Sequence, residues 1–240
     1  MQEVFEITED LMINGLKIVQ DKRYYRFTSD SILLSRFATA KKSEKVADFC
    51  AGSGVIGLHY YGLNTSKVKS VTLFELQEEL YNLAQKSIQI NGLENLFEIC
   101  KGKLQDAPKS YNGYFSLILC NPPYKKKDSG EKNLSPHIAI CRHECEITQK
   151  EIAQTAKRLL APSGRLCICQ RIERLTDLLC DLRENNLEPS RLAFVRTENG
   201  APYLVMVEAT KDRKPQLKVL KEIINGENNA LHSGNADRQS

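Results

Sequence analysis

KVADFCAGSGVIGL, residues 45–58, decides the fold. Its first half, KVADFC, is a short apolar run of strand type. Its second half opens into Gly52-Ser-Gly54-Val-Ile-Gly57. Glycines crowded at the end of an apolar run mark a strand-to-helix turn, because they tolerate positive φ and let backbone approach where a Cβ would obstruct.

Working outward from this turn, the chain alternates between two periodicities. SVTLFE (70–75) is a second apolar run and ends on an acid. Leu80, Leu83, Ala84 and Ile88 then recur at helical spacing between Gln77 and Asn91, and Gly92 stops that helix. LFEIC (96–100) and YFSLILC (114–120) read as strands, the second apolar enough to be buried on both faces. Thr148 and Glu151 have the spacing of a capping box, and Ile152, Ala156, Leu159 and Leu160 mark the helix face behind it. PSG (162–164) turns into the strand RLCICQ, and Leu175, Leu178, Leu179 and Leu182 form another helical stripe. RLAFVRT and PYLVMVEA (202–209) close the series, joined by ENGA, a connection that suits an antiparallel hairpin.

This β-α-β-α order predicts an α/β fold: a Rossmann-like, doubly wound, mostly parallel seven-stranded sheet with helices on both faces and an antiparallel last strand. The core is expected at 45–210. Residues 1–44 hold two strand candidates, GLKIVQ and YYRF, and a helix from Ser29 that carries Ile32, Leu33, Leu34 and Phe37. They are expected to form a short N-terminal flap packed on the core. Residues 211–240 read as a basic arm, KDRKPQLKVLKEI, followed by a polar frayed tail.

The 240 residues are 41% hydrophobic and 27% charged, the balance of a soluble globular protein. A net charge of +4 permits nucleic-acid binding without requiring it. No apolar run reaches transmembrane length, so no membrane partner is expected. The start MQEVFEITED is acidic and lacks the apolar core of a secretory leader. The eight cysteines therefore read as free thiols in a reducing cytosol, and the expected location is cytoplasmic.

The chemistry begins with Asp48, on the strand just before the glycines. G-x-G-x-x-G by itself also fits a dinucleotide. A carboxylate at position 48 would repel a pyrophosphate. It suits a cofactor that carries an ammonium group and no phosphate, which describes S-adenosylmethionine. Glu75, ending the second strand, can accept both hydroxyls of a ribose, and the helix N-terminus behind the glycines favours polar groups.

A second loop follows YFSLILC: Asn121-Pro122-Pro123-Tyr124. It falls on the same sheet edge as the first. Asn121 and Pro122 each precede a proline and are held extended. The Asn side-chain oxygen and a proline carbonyl then point at one spot, matching an –NH₂ group with two hydrogens. Tyr124 offers a flat face for stacking. An amine conjugated to a ring is a poor nucleophile, and two hydrogen bonds from its N–H groups favour the pyramidal nitrogen. The expected reaction is SN2 methyl transfer by positioning and electrostatics, without a strong base.

With both loops in view, the chain resembles class I adenosylmethionine-dependent methyltransferases of the amino-methylating NPPY group. Within that group it is similar, over nearly its whole length, to bacterial tRNA1(Val) N6-adenine methyltransferases. RFTSDSILLSRFA (26–38), DFCAGSGVIGL (48–58) and CRHE (141–144) carry the likeness, and the NPPY box is shared more widely. The resemblance implies cofactor contacts at Phe27, Asp48, Gly52, Gly54, Glu75 and Leu76, with Cys50 and Asn121 beside them. It implies base contacts at Asn121, Pro122 and Tyr124, and as substrate the adenine next to the anticodon of a valine tRNA. Cys50 stands where many methyltransferases have glycine. Lys103 stands where an Asp for the cofactor adenine amine is expected, with Asp106 nearby but out of register.

Around the second loop, Pro123, Lys125, Lys126 and Lys127 are candidates for substrate contact, the lysines through phosphates. A solvated charged loop is the other reading. Arg142 and His143 are candidates for RNA contact. Cys141, His143 and Cys145 alternate without a partner pair, so no metal is expected. Two other functions fit the same residues. One is methylation of a glutamine side-chain amide in a protein such as a release factor. The other is a non-catalytic RNA-binding module with a dead cofactor pocket, for which Lys103 is the support.

Overall fold

Residues 5–24, 26–122 and 147–226 are described by the structure, a computed structural model. The chain opens with an antiparallel hairpin, β1 (Glu6–Asp10) and β2 (Lys17–Asp21), followed by α1 (Ser29–Phe37). The alternating series then runs β3 (Glu44–Phe49), α2 (Val55–Leu63), β4 (Val68–Glu75), α3 (Glu78–Ile90) and β5 (Phe97–Lys101). Two short 3-10 turns, Leu104–Asp106 and Lys109–Tyr111, lead to β6 (Phe115–Cys120). Beyond residue 146 come α4 (Gln149–Leu159), β7 (Leu160–Arg171), α5 (Leu175–Glu184), β8 (Leu187–Arg196) and β9 (Pro202–Lys211).

The seven expected strands lie in the order β5-β4-β3-β6-β7-β9-β8. β3, β4, β5, β6 and β7 pair in parallel. β9, the last of the seven, is antiparallel to both β7 and β8. Two short strands not expected from the sequence, β10 (Lys218–Val219) and β11 (Ile223–Ile224), pair in parallel with β8. Part of the stretch read as a basic arm therefore extends the sheet edge. Of the two strand candidates in this segment, GLKIVQ contains β2, whose partner is the acidic EITED, whereas Tyr24, Arg26 and Phe27 lie in no strand. The chain turns at Asp21, whose carbonyl accepts from Tyr24 N–H at 3.1 Å and whose carboxylate accepts from Arg23 N–H at 2.8 Å, which ends the strand. PSG falls inside β7, where Ser163 takes φ +59° and the pairing with β6 shifts register between Phe115 and Leu117.

Alternation along each strand sorts the core into two layers. Val46, Leu117, Leu119, Cys167 and Cys169 face one side, with α1, α2 and α3 over them. Ala47, Phe49, Ile118, Cys120, Leu166 and Ile168 face the other, under α4 and α5. Thr148 caps α4 through the expected box: its Oγ1 accepts from Glu151 N–H at 3.3 Å, and Glu151 accepts from Thr148 N–H at 2.8 Å. At the start of β3, Glu44 pairs with the buried Arg165. Arg165 also meets Glu208 at 3.2 Å, and Arg191 meets Glu208 at 2.7 Å. This charge network ties β3, β7, β8 and β9 together at the end of the sheet remote from the glycine loop.

The strand order leaves one crevice. From β3 the chain winds outward through β4 and β5, then returns to β6 on the other side of β3. Such a switch point opens a cleft at the carboxyl ends of the two strands.

Candidate active site

The cleft lies between the loop after β3 and the loop after β6. Phe49 and Cys120 are opposite one another in the β3–β6 ladder. The residues that follow them, Cys50 and Asn121, thus leave the sheet side by side. The sequence motifs, 71 positions apart in the chain, meet because of this register.

The first loop is wound by positive φ at Cys50 (+56°), Gly52 (+58°) and Gly54 (+88°). Nothing lies within 4 Å of the place where a Cβ on Gly52 would stand, so the turn borders open space. At Gly54 and Gly57 the reason for glycine is packing: a Cβ would come within 2.9 Å and 2.8 Å of Leu73 side-chain carbons. Two hydrogen bonds seat the loop on β4 and on itself, Ala51 N–H to Phe74 O at 3.0 Å and Gly54 N–H to Ala51 O at 2.9 Å.

Two buried acids frame the loop. Asp48 is fully buried; its Oδ2 accepts from Gly57 N–H at 2.9 Å, while its buried Oδ1 has no hydrogen-bond partner. Burial pushes its carboxyl up to about 8, and the nearby Glu75 adds to the rise. Glu75 accepts from Gly52 N–H through Oε2 at 2.7 Å and from Gln77 N–H through Oε1 at 2.8 Å. Burial raises this carboxyl to about 7 against those bonds. The Leu76 backbone N–H bonds to the same carboxylate and also lowers its pKa, and the acceptor capacity that remains is available to a hydroxyl. The loop after β5 joins the same wall, since Gly102 N–H donates to Glu75 O at 3.0 Å. An orphaned carboxylate oxygen on one side and an acid at the end of β4 on the other fit a cofactor with a cationic amine and a ribose.

Phe27 and Leu76, both half-buried, are the remaining expected cofactor contacts; Phe27 N–H donates to Gln20 Oε1 at 3.2 Å. Lys103 is exposed at the start of the first 3-10 turn, and its charge helps hold the Glu151 carboxyl below its usual range, after the two bonds from Thr148. Asp106 is exposed as well.

Asn121 is half-buried and Pro122 buried. Asn121 Nδ2 donates to Ser31 Oγ at 3.0 Å, and its Oδ1 accepts from the Cys169 thiol at 3.1 Å. Neither contact was expected from the sequence: Ser31 lies 90 residues away, inside the stretch 26–38 but with no role given to it, and Cys169 lies 48 away in a strand. Pro123, Tyr124, Lys125, Lys126, Lys127, Arg142 and His143 lie outside the described residues, as do Cys141 and Cys145. The described cysteines, Cys50, Cys100, Cys120, Cys167, Cys169 and Cys180, are free thiols. No helix among the described residues is long and apolar enough to cross a membrane.

Comparison with known proteins bears on the family and the fold. The family model described as "Methyltransferase small domain" matches residues 28–179. A curated relative from Parabacteroides distasonis, named tRNA1(Val) (adenine(37)-N6)-methyltransferase, is 25% identical over 203 residues, covering 82% of each chain. Among solved structures, M. jannaschii TYW2 in complex with AdoMet superposes with TM-score 0.60 at 14% identity, over 88% of this chain and 87% of that one. An Agrobacterium tumefaciens protein described as a predicted O-methyltransferase superposes with TM-score 0.63 at 16% identity, over 81% of this chain and 86% of that one.

Proposed function

The chain belongs to the methyltransferase small domain family, and we propose that it methylates the N6 amine of an adenine in tRNA, with S-adenosylmethionine as donor. The observation that carries this reading is the β3–β6 register, which sets Asn121-Pro122 beside the loop that holds Gly52 and Gly54. The adenine beside the anticodon of tRNA1(Val) is the target, by the names of the curated relatives. The enzyme works in the cytoplasm, where its substrate is.

When bound, S-adenosylmethionine supplies an electrophilic methyl group. Glu75, already fixed by the Gly52 and Gln77 N–H groups, would accept from the cofactor ribose. Asp48, whose buried Oδ1 has no hydrogen-bond partner, would hold the cationic amine, and that charge would compensate its burial. Asn121 Oδ1 and the Pro122 carbonyl accept the two N–H groups of the target amine and hold its lone pair in line. Preorganised acceptors of this kind act without reorganisation at the moment of reaction. Neither the glutamine-amide reading nor the non-catalytic reading is favoured by any relative reported above.

The test is substrate identity. Wild-type protein and labelled donor are incubated separately with total tRNA, ribosomal RNA, DNA and release factors, and the methylated unit is identified after digestion. Label in N6-methyladenosine from tRNA is expected. Label only in a protein or only in DNA would overturn the assignment.

A further inference from the structure

We infer that Gln20 is a positioning residue for S-adenosylmethionine binding: its buried side-chain amide ties the N-terminal hairpin to the backbone at Phe27 and holds that residue on the cleft. The inference rests on the reading that Phe27 borders the bound cofactor. The place of Phe27 follows from what its neighbours touch. Tyr24 packs on Leu80 and Leu83 of α3, the helix that starts just after Glu75. Ser31 Oγ meets Asn121 Nδ2 at 3.0 Å, beyond the end of β6. β4, β3 and β6 are neighbours in the sheet, so the described residues between Tyr24 and Ser31 cross from the Glu75 side of the glycine loop to the Asn121 side. Phe27 stands in the middle of that crossing, half-buried.

The partners of Gln20 leave one orientation for its amide. A backbone N–H can only donate, and a carboxylate accepts. Phe27 N–H meets Oε1 at 3.2 Å, so the oxygen faces the crossing segment. Nε2 donates to Oε2 of Glu9 across the hairpin. The other oxygen of Glu9 pairs with Arg26, a second contact to the same segment. That ion pair is half-exposed and contributes little by itself. Gln20 is only 1% exposed, so loss of either partner leaves a buried polar group unsatisfied.

Strand parity puts Gln20 in this place. Gln20 and Ile18 point to one face of β2, and Glu9, opposite Ile18, shares that face. Ile18 enters the core layer against which Phe27 packs. Val19, on the other face, sits with Leu80 and Leu83 of α3. The outer edge of β2 is bonded to the same helix. Val19 N–H donates to Ser87 Oγ at 2.9 Å, and Asn91 accepts from Lys17 N–H at 2.9 Å and donates to Lys17 O at 2.7 Å. The hairpin is thereby fixed to the helix behind Glu75, and Gln20 carries that anchor back to the cleft.

The experiment measures Kd for S-adenosylmethionine by calorimetry without tRNA, together with Tm. The proteins are wild type, Phe27→Ala, Gln20→Met, Gln20→Glu, Glu9→Gln, and the exchange that combines Glu9→Gln with Gln20→Glu. Gln20→Met fills the space without a polar end and should raise Kd by roughly five- to tenfold. Gln20→Glu keeps an acceptor for Phe27 N–H but sets a carboxylate against Glu9, and should raise Kd similarly. Glu9→Gln alone keeps an acceptor for Nε2 and should change Kd little. The exchange restores a hydrogen-bond donor at position 9 facing an acceptor at position 20, and should return Kd to within about twofold of wild type. Phe27→Ala should raise Kd at least as far as Gln20→Met. If Gln20→Met melts below the assay temperature, Gln20→Glu and the exchange decide. Loss of Tm with wild-type Kd in the Gln20 variants, or an exchange that recovers Tm and not Kd, overturns the positioning role. Wild-type Kd in Phe27→Ala overturns the inference by removing Phe27 from the cofactor. Because Kd is read without tRNA, methylation of some other acceptor, which would overturn the function proposed above, leaves this readout standing.

Discussion

The backbone N–H of Gly52 donates to Oε2 of Glu75 at 2.7 Å, so the glycine loop after β3 and the acid closing β4 form one unit. Glu75→Ala should remove the proposed ribose acceptor and free the loop together. Hydrogen bonds to a charged group contribute about 1.5–3 kcal/mol, so donor affinity should fall by roughly 10- to 150-fold. Titration calorimetry with S-adenosylmethionine checks this, and unchanged affinity would remove Glu75 from the site.

Asp48 and Glu75 set a pH dependence of stability. Their unperturbed values are 3.8 and 4.5, and in the fold burial lifts them to about 8 and about 7. The folded state therefore holds these protons more tightly than the unfolded chain does. Their contribution is fully present below about pH 4 and is lost as pH rises through about 7 to 8. Thermal melts of the donor-free protein from about pH 5 to 8 should show Tm falling more steeply in wild type than in Asp48→Asn. Parallel curves would show that Asp48 does not titrate in this window.

Gly57→Ala and Gly52→Ala should fail for different reasons. At Gly57 a Cβ would come within 2.8 Å of Leu73 and 3.1 Å of Val71, so the core must shift; overpacking of this sort costs about 1–3 kcal/mol. Tm should fall while donor affinity of the folded fraction holds. Gly52→Ala meets no atom within 4 Å but is strained at φ +58° and projects into the open cleft, so donor affinity should suffer more than Tm. Calorimetry and melting on the two variants separate the cases.

Arg165→Met leaves Glu44 and Glu208 buried with less compensation. Breaking a buried ion pair on one side costs about 3–5 kcal/mol, a loss that urea titration measures. Turnover per folded molecule should not change, because the network lies at the opposite end of the sheet from Asn121. A selective loss of kcat would mean that the two ends are coupled.

The core was legible because its signals are local. β3 and β6 are apolar runs stopped by glycine or proline, and α3 and α4 show their buried stripe at helical spacing. β1 was not legible: EITED is acidic and alternates only between exposed and half-buried residues, so no apolar period marks it. The pairing of 218–219 and 223–224 with β8 was hidden for another reason. Two-residue strands among lysines look like a solvated arm until a distant edge is there to receive them. The site divides likewise. Asp48, Gly52, Gly54, Glu75 and Asn121 stand in motifs whose spacing carries the chemistry. Ser31 and Cys169 reach Asn121 only through the packing of α1 and β7, which no stretch of the chain spells out.

The most direct test of the central claim is single-turnover formation of N6-methyladenosine in tRNA1(Val) by wild type and Asn121→Ala, with donor saturating and donor Kd measured alongside. If the Asn121 oxygen holds the target amine, the variant should lose about 100- to 1,000-fold in rate, by analogy with removal of one transition-state hydrogen bond, and bind donor as before. A variant that forms the same product at the wild-type rate would contradict the account.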